Sequence, residues 1–219
     1  MKNKIMIVLI ALMSLAIVFM VGTKLYKGQE QERLSFMAKS DFSTFVRDYS
    51  PRLGRADAKV YVVEFLDPEC ESCREFYSSV KMLLQEYEGK IQLVVRYAPF
   101  HGNSIFIIKI LEAARKQNRY WETLETLFRY QPEWGNHHHP RPELVWNYLP
   151  EAGVNVEQIK KDMEDPAIQS MIEQEIADGR ALNVQATPTF FVNGRPLERF
   201  GYEGLKDLVE STIRAEGEN

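Results

Sequence analysis

"VVEFLDPECESCREF", residues 62–76, decides the fold. Its first half extends an apolar, β-branched run from Lys59, and "KVYVVEFL" reads as a strand covered on both faces. Its second half opens a helical period. Phe76, Val80, Leu83, Leu84 and Tyr87 fall on one helix face, with Gly89 as the stop. Cys70 and Cys73, the two cysteines of this 219-residue chain, sit at the junction.

Working outward, "IQLVVRY" (residues 91–97) reads as a second buried strand, which completes a parallel strand–helix–strand unit. Ser104 is expected to cap a helix running to about Gln117, with further helices over residues 121–130 and 143–149. Asp165-Pro166 supplies a cap and a first-turn proline for the next helix, and Asn183 a left-handed stop. "TPTFFVNGRPLERF" reads as a hairpin turning at Asn193-Gly194, and Leu205, Leu208, Val209 and Ile213 as a closing amphipathic helix. Upstream, "SPRLGRADA" is expected to be a loop. The order predicts an α/β protein of thioredoxin fold, βαβ…ββα, with an all-helical insertion at about 101–182.

Composition is that of an ordinary globular protein, 45% hydrophobic and 26% charged, so a sizeable core is available. The net charge of -4 argues against nucleic acid as a partner. Two cysteines exclude a disulfide-scaffolded secreted fold. At the N-terminus, Lys2 and Lys4 precede nineteen uncharged residues, Ile5 to Thr23. As a helix these span about 28 Å at ~1.5 Å per residue, close to a bilayer's hydrocarbon core. Met20-Val21-Gly22 lacks the small-residue pattern of a cleavage site, so residues 1–23 are expected to be an uncleaved single transmembrane helix rather than a cleaved signal. The predicted layout is therefore anchor (1–23), polar stalk (24–49) and catalytic domain (50–219), the last outside the cytoplasm.

A CxxC motif in the first turn of a helix has a chemical meaning. Free N–H groups and the helix dipole there favour thiolate, the attacking form. A second thiol one turn later can resolve a mixed disulfide. Hence Cys70 is expected to exchange with substrate and Cys73 to resolve. A zinc half-site would need a second ligand pair, and a structural disulfide would close too small a loop to stabilise much.

"EFLDPECESC", "RYAPFH", "TPTFFVNG" and "FGYEGL", in this order, resemble the DsbA-like thiol:disulfide oxidoreductases of the thioredoxin superfamily from about Ser50 onward. The resemblance implies that Cys70 is the nucleophile, Cys73 the buried resolving cysteine, and Pro188 a cis-proline facing them. Thr187 is then the residue that touches substrate and tunes the potential, and Glu64 the buried acid that relays the proton of Cys73. It also implies protein substrates with cysteines, a membrane redox partner of the DsbB type, no cofactor and no metal, and a monomer anchored in the cytoplasmic membrane. The alternatives are a disulfide reductase or isomerase, and a copper-binding chaperone of thioredoxin fold.

One departure carries its own expectation. Strongly oxidising relatives have a histidine between the cysteines, where this chain has Glu71-Ser72. Asp67, Glu69 and Glu71 are expected to oppose the helix dipole and disfavour the Cys70 thiolate. His137, His138 and His139 read as a solvated loop, His101 as a capping or packing residue near the active face, and Trp121, Trp134 and Trp146 as core of the insertion.

Overall fold

The computed structural model describes residues 2–136 and 138–217. Five strands form one sheet: β1 (Arg52–Gly54), β2 (Val60–Leu66), β3 (Ile91–Tyr97), β4 (Thr189–Val192) and β5 (Arg195–Pro196), in the order β1-β3-β2-β4-β5. β2 and β3 are parallel, with Glu64 opposite Val95; β2 and β4 are antiparallel, with Glu64 opposite Phe190. The expected thioredoxin core is present. The predicted loop "SPRLGRADA" contains β1, which adds antiparallel to the outer edge of β3. A three-residue strand of Arg, Leu and Gly carries too little β pattern to be legible alone.

The eight α-helices among the described residues are α1 (Lys2–Ser40), α2 (Glu71–Glu86), α3 (Ser104–Lys116), α4 (Tyr120–Trp134), α5 (Val145–Tyr148), α6 (Val156–Asp162), α7 (Pro166–Ala181) and α8 (Tyr202–Gly217). Five of these, α3 to α7, lie between β3 and β4. The helix expected over 143–149 is one turn of α-helix between two 3-10 segments, and α6 has no counterpart in the sequence reading. Asp165 caps α7 as expected, its carboxylate accepting from the Ala167 N–H, and Asn183 is left-handed at φ 57°. Trp134 is fully buried in the insertion; Trp121 and Trp146 are half-buried against the same core.

Alternation along β2 divides the core. Val60, Val62, Glu64 and Leu66 face α2, α8 and the insertion, whereas Val63 and Phe65 face a second, smaller cluster. That second cluster corrects the expectation of a polar stalk over 24–49. Residues 24–40 continue α1 as helix, and its last turns lie on the sheet. Leu34 and Phe45 are buried beside Val63, Phe65 and Phe191, with Met37 and Ala38 packed alongside. Burying a side chain such as Leu34 contributes roughly 1.5–3 kcal/mol, enough to dock a helix end. Arg33 also donates to the Ala181 carbonyl at 2.9 Å, and Gln31 bonds Glu198. The hairpin turn accommodates this helix: Asn193 and Gly194 both have positive φ (47° and 81°), and a Cβ on Gly194 would come 2.3 Å from Ala38 Cβ.

The upstream half of α1 is different. It is the one helix among the described residues long and apolar enough to cross a membrane, and Ile5, Met6, Ile7, Leu9, Ile10 and Phe19 are among its exposed apolar side chains.

Candidate active site

β2 ends at Leu66, and Asp67-Pro68-Glu69 turns the chain into α2, with the Cys70 N–H donating to the Asp67 carbonyl at 3.0 Å. Cys70 is the residue before the first helical turn, extended at φ −73°, ψ 121°. The N–H groups of Ser72 and Cys73, which the helix leaves free, favour a negative charge on its sulfur. Cys73 lies one turn on and is fully buried; Cys70 is 7% exposed, and both are free thiols. The two sulfurs divide the charge unequally. The hydrogen bond from Cys73, then one from the Thr187 side chain and the two backbone N–H groups, outweigh burial and lower the Cys70 pKa to about 5. Burial, the bond donated to Cys70 and the charge of Glu64 push Cys73 far up. The pair is poised as one thiolate and one thiol.

The residues singled out in the sequence converge. Cys70 Sγ is 3.4 Å from the Thr187 carbonyl oxygen, and the Thr187–Pro188 peptide is cis. Glu64 sits on the inner face of β2, 0% exposed, with both carboxylate oxygens lacking a hydrogen-bond partner. Burial, with the Cys70 charge second, pushes its pKa up to about 8.

The Cys70 pKa is lowered despite the neighbouring acids, two of which are enclosed by donors. Asp67 is fully buried. One of its oxygens accepts from Glu69 N (2.9 Å) and Ser104 Oγ (2.7 Å). The other accepts from Phe100 N (2.8 Å) and His101 N (3.2 Å) and lies 2.7 Å from His101 Nδ1. Glu69 accepts from Asn103 N (2.7 Å) and Nδ2 (2.8 Å). Glu71 is exposed to solvent, where screening is strong. Burial pulls the His101 pKa down, but the hydrogen bond and charge of Asp67 outweigh it and leave it raised. The charged form of His101 is thus favoured, by Asp67 first and then by the Cys70 charge. Ser104, expected as a cap, is the first residue of α3 and spends its hydroxyl on Asp67; Asn103 precedes it.

The sequence reading missed two polar anchors: the His101–Asp67 pairing and Gln131. The second comes from α4, where a buried Gln131 donates Nε2 to the carbonyls of Pro68 (2.9 Å) and Cys70 (3.1 Å). "APFHGNS" held a signal for the first, a histidine and a serine directly after a strand. A glutamine inside a distant helix offered none.

Phe100, in the loop that binds Asp67, and Phe200, tilted at 36° with its ring centre 5.0 Å from that of Phe76 of α2, are exposed apolar rings. His138 and His139 are exposed in the loop after α4, and His137 lies outside the described residues. Among the described residues no group of three or more His, Cys, Asp or Glu is arranged to hold a metal ion.

Residues 47–211 match the thioredoxin family profile. The chain is 30% identical over 213 residues to the probable disulfide bond formation protein D of Bacillus anthracis, covering 92% of this chain and 93% of that one. It is 33% identical over 144 residues to the Na(+)/H(+) antiporter NhaA of Herminiimonas arsenicoxydans; that match covers 66% of this chain, which spans only 22% of that relative's length. Among solved structures, oxidised BdbD from Bacillus subtilis superimposes with a TM-score of 0.67 at 28% identity, over 75% of this chain and 93% of that one. The fold, the CxxC geometry and these similarities agree: the chain belongs to the thioredoxin family, as a DsbA-like thiol:disulfide oxidoreductase.

Proposed function

We propose that this protein donates the Cys70–Cys73 disulfide to cysteines of exported proteins, working outside the cytoplasm from a membrane anchor. The observation that carries the direction is the acidity of Cys70, about 5 against an ordinary thiol value of 9.0. A stabilised thiolate favours the reduced form and makes the disulfide a stronger oxidant.

In this reading a substrate thiolate attacks Cys70 Sγ. The Cys70–Cys73 bond breaks, a Cys70–substrate disulfide forms, and Cys73 departs as thiolate. Cys73 holds charge poorly, and Glu64 behind it, with a pKa of about 8, carries a proton at neutral pH to hand over. A second substrate thiolate then attacks the substrate sulfur of the mixed disulfide, and Cys70 leaves as thiolate. A low pKa makes it the faster leaving group. Thr187 and Pro188, beside Cys70, are the surface on which substrate backbone docks. The two electrons left on the dithiol pass to a membrane partner of the DsbB type, and the protein acts as a monomer. Residues 1–23 serve as the uncleaved anchor, supported by the length and exposure of the apolar half of α1.

Equilibration of the full chain with glutathione tests the direction. We expect a potential nearer DsbA's, about -120 mV, than thioredoxin's, about -270 mV. A value at or below the thioredoxin figure would instead favour a reductase. Membrane fractionation with N-terminal sequencing tests the anchor, and a soluble chain starting near Thr23 would overturn it.

A further inference from the structure

We propose that Gln131 is a positioning residue for the Cys70 sulfur, its amide gripping the Pro68 and Cys70 carbonyls so that the insertion aims the nucleophile at the start of α2. This rests on the reading of Cys70 as the exchanging thiol.

The geometry has three parts. First, one NH₂ group donates to two carbonyls that bracket the turn, at 2.9 Å and 3.1 Å. The Cys70 carbonyl also accepts the first bond of α2, from Arg74 N at 3.2 Å. Its two lone pairs are thus both committed, one to the helix and one to the insertion. That fixes the peptide on either side of Cys70, and hence the place of the sulfur at the start of α2, 3.4 Å from the Thr187 carbonyl oxygen. Second, the amide orientation is forced: an oxygen turned toward two carbonyl oxygens would be repelled, so the nitrogen faces the loop. Third, the side chain accepts a cost to do this. Gln131 Oε1 is buried with no hydrogen-bond partner. A residue kept for packing alone would not carry an unpaired buried acceptor, since an apolar side chain of the same shape avoids that penalty. Room for the side chain is left by Gly135, where a Cβ would come 3.0 Å from Gln131 Cγ.

The other end of the turn is already tied to the start of α3 through Asp67 and Glu69. Gln131 supplies the grip nearest the sulfur. Its role is exerted through backbone, with no contact to the reacting atoms required.

The test compares the reduced full chain with Gln131→Met, which keeps length and removes the donors, and Gln131→His, which keeps one N–H. Cys70 is titrated by thiolate absorbance, exchange with oxidised glutathione is followed across pH, and thermal melting is recorded. Gln131→Met is expected to raise the Cys70 pKa by about one unit, a tenfold loss of thiolate-to-thiol ratio, and to slow exchange most on the acid side. Melting should stay level or rise, because the orphan acceptor is gone. Gln131→His should shift less than Gln131→Met. A Gln131→Met chain that titrates and exchanges as the parent does would show a packing role only. Should Gln131→Met fail to fold, Gln131→Leu, which also lacks the donors, takes its place, and an unshifted Gln131→Leu overturns the proposal equally. An ordinary thiol pKa in the parent itself would instead strike at the site reading beneath it.

Discussion

Cys73→Ser should convert a catalyst into a trap, accumulating mixed disulfides through Cys70. The Cys70 sulfur sits at the protein surface's inner edge, acidic and backed by free N–H groups, so it still attacks a disulfide when Cys73 is absent. What disappears is the second thiol, held one helical turn away and fully buried. Attack from within one turn is intramolecular, and its loss is expected to slow release of the adduct by roughly 10³-fold or more. Non-reducing electrophoresis after exposure to oxidised substrate reads the adducts directly. They should be absent from Cys70→Ser. Adducts carried by Cys73 in that variant, with none on Cys70 in the other, would reverse the roles.

Glu64→Leu should stabilise the dithiol protein while impairing it. In the folded chain Glu64 has its pKa raised to about 8 from the ordinary 4.5, with burial first and the Cys70 charge second. Below pH 4.5 the group is protonated folded and unfolded, and nothing is lost. Between 4.5 and 8 the unfolded chain ionises while the folded chain keeps its proton, so stability falls as pH rises. Above 8 the full penalty applies. The shift, 8 − 4.5, corresponds on the order of 5 kcal/mol at about 1.36 kcal/mol per unit. Leucine carries no charge and the Cys70 titration is common to both chains, so the variant's advantage over the parent should widen as pH rises from 4.5 to 8. Urea unfolding of both reduced proteins at several pH values from 5 to 9 makes the comparison. Parallel curves would show that Glu64 is not the buried, unpartnered acid described. The same variant should exchange more slowly near neutral pH, where Cys73 has lost its proton source.

What the sequence disclosed and what it hid follow the range of the interactions. β2, α2 and β3 are written in local periodicity, and the spacing of Cys70 and Cys73 lies within that one unit, whereas the part of Glu64 came from family resemblance. Thr187 and Pro188 come to the site from more than a hundred residues away, and only family resemblance located them. The charge of Asp67 and Glu69 was legible, but the donors that neutralise them belong to residues 100–104, across a β3 partnership that no local pattern states. Counting charges near Cys70 therefore left out the hydrogen bonds that set its acidity. The segment after Thr23 misled in a similar way. Among many polar residues, Leu34, Met37 and Ala38 fall at i, i+3 and i+4, three side chains that suffice to dock a helix end on the sheet.

That docked helix also changes how the protein searches for its substrates. Leu34, the first buried residue of α1, lies eleven positions beyond Thr23, about 16 Å along a helix. A flexible Gly/Ser cord of eleven residues has a similar mean reach, roughly 17–20 Å, but it samples every direction. A helical mast samples one. With the apolar half of α1 in a bilayer, the disulfide patrols a thin layer at constant height, and collisions become nearly two-dimensional. The mast also has a phase. One residue inserted between Thr23 and Glu30 would rotate the domain by about 100° and lift it by ~1.5 Å, whereas seven would restore its facing about 10 Å higher. Reoxidation by the proposed membrane partner should then rise and fall with helical phase as residues are added; a monotonic decline would mark the mast as a cord.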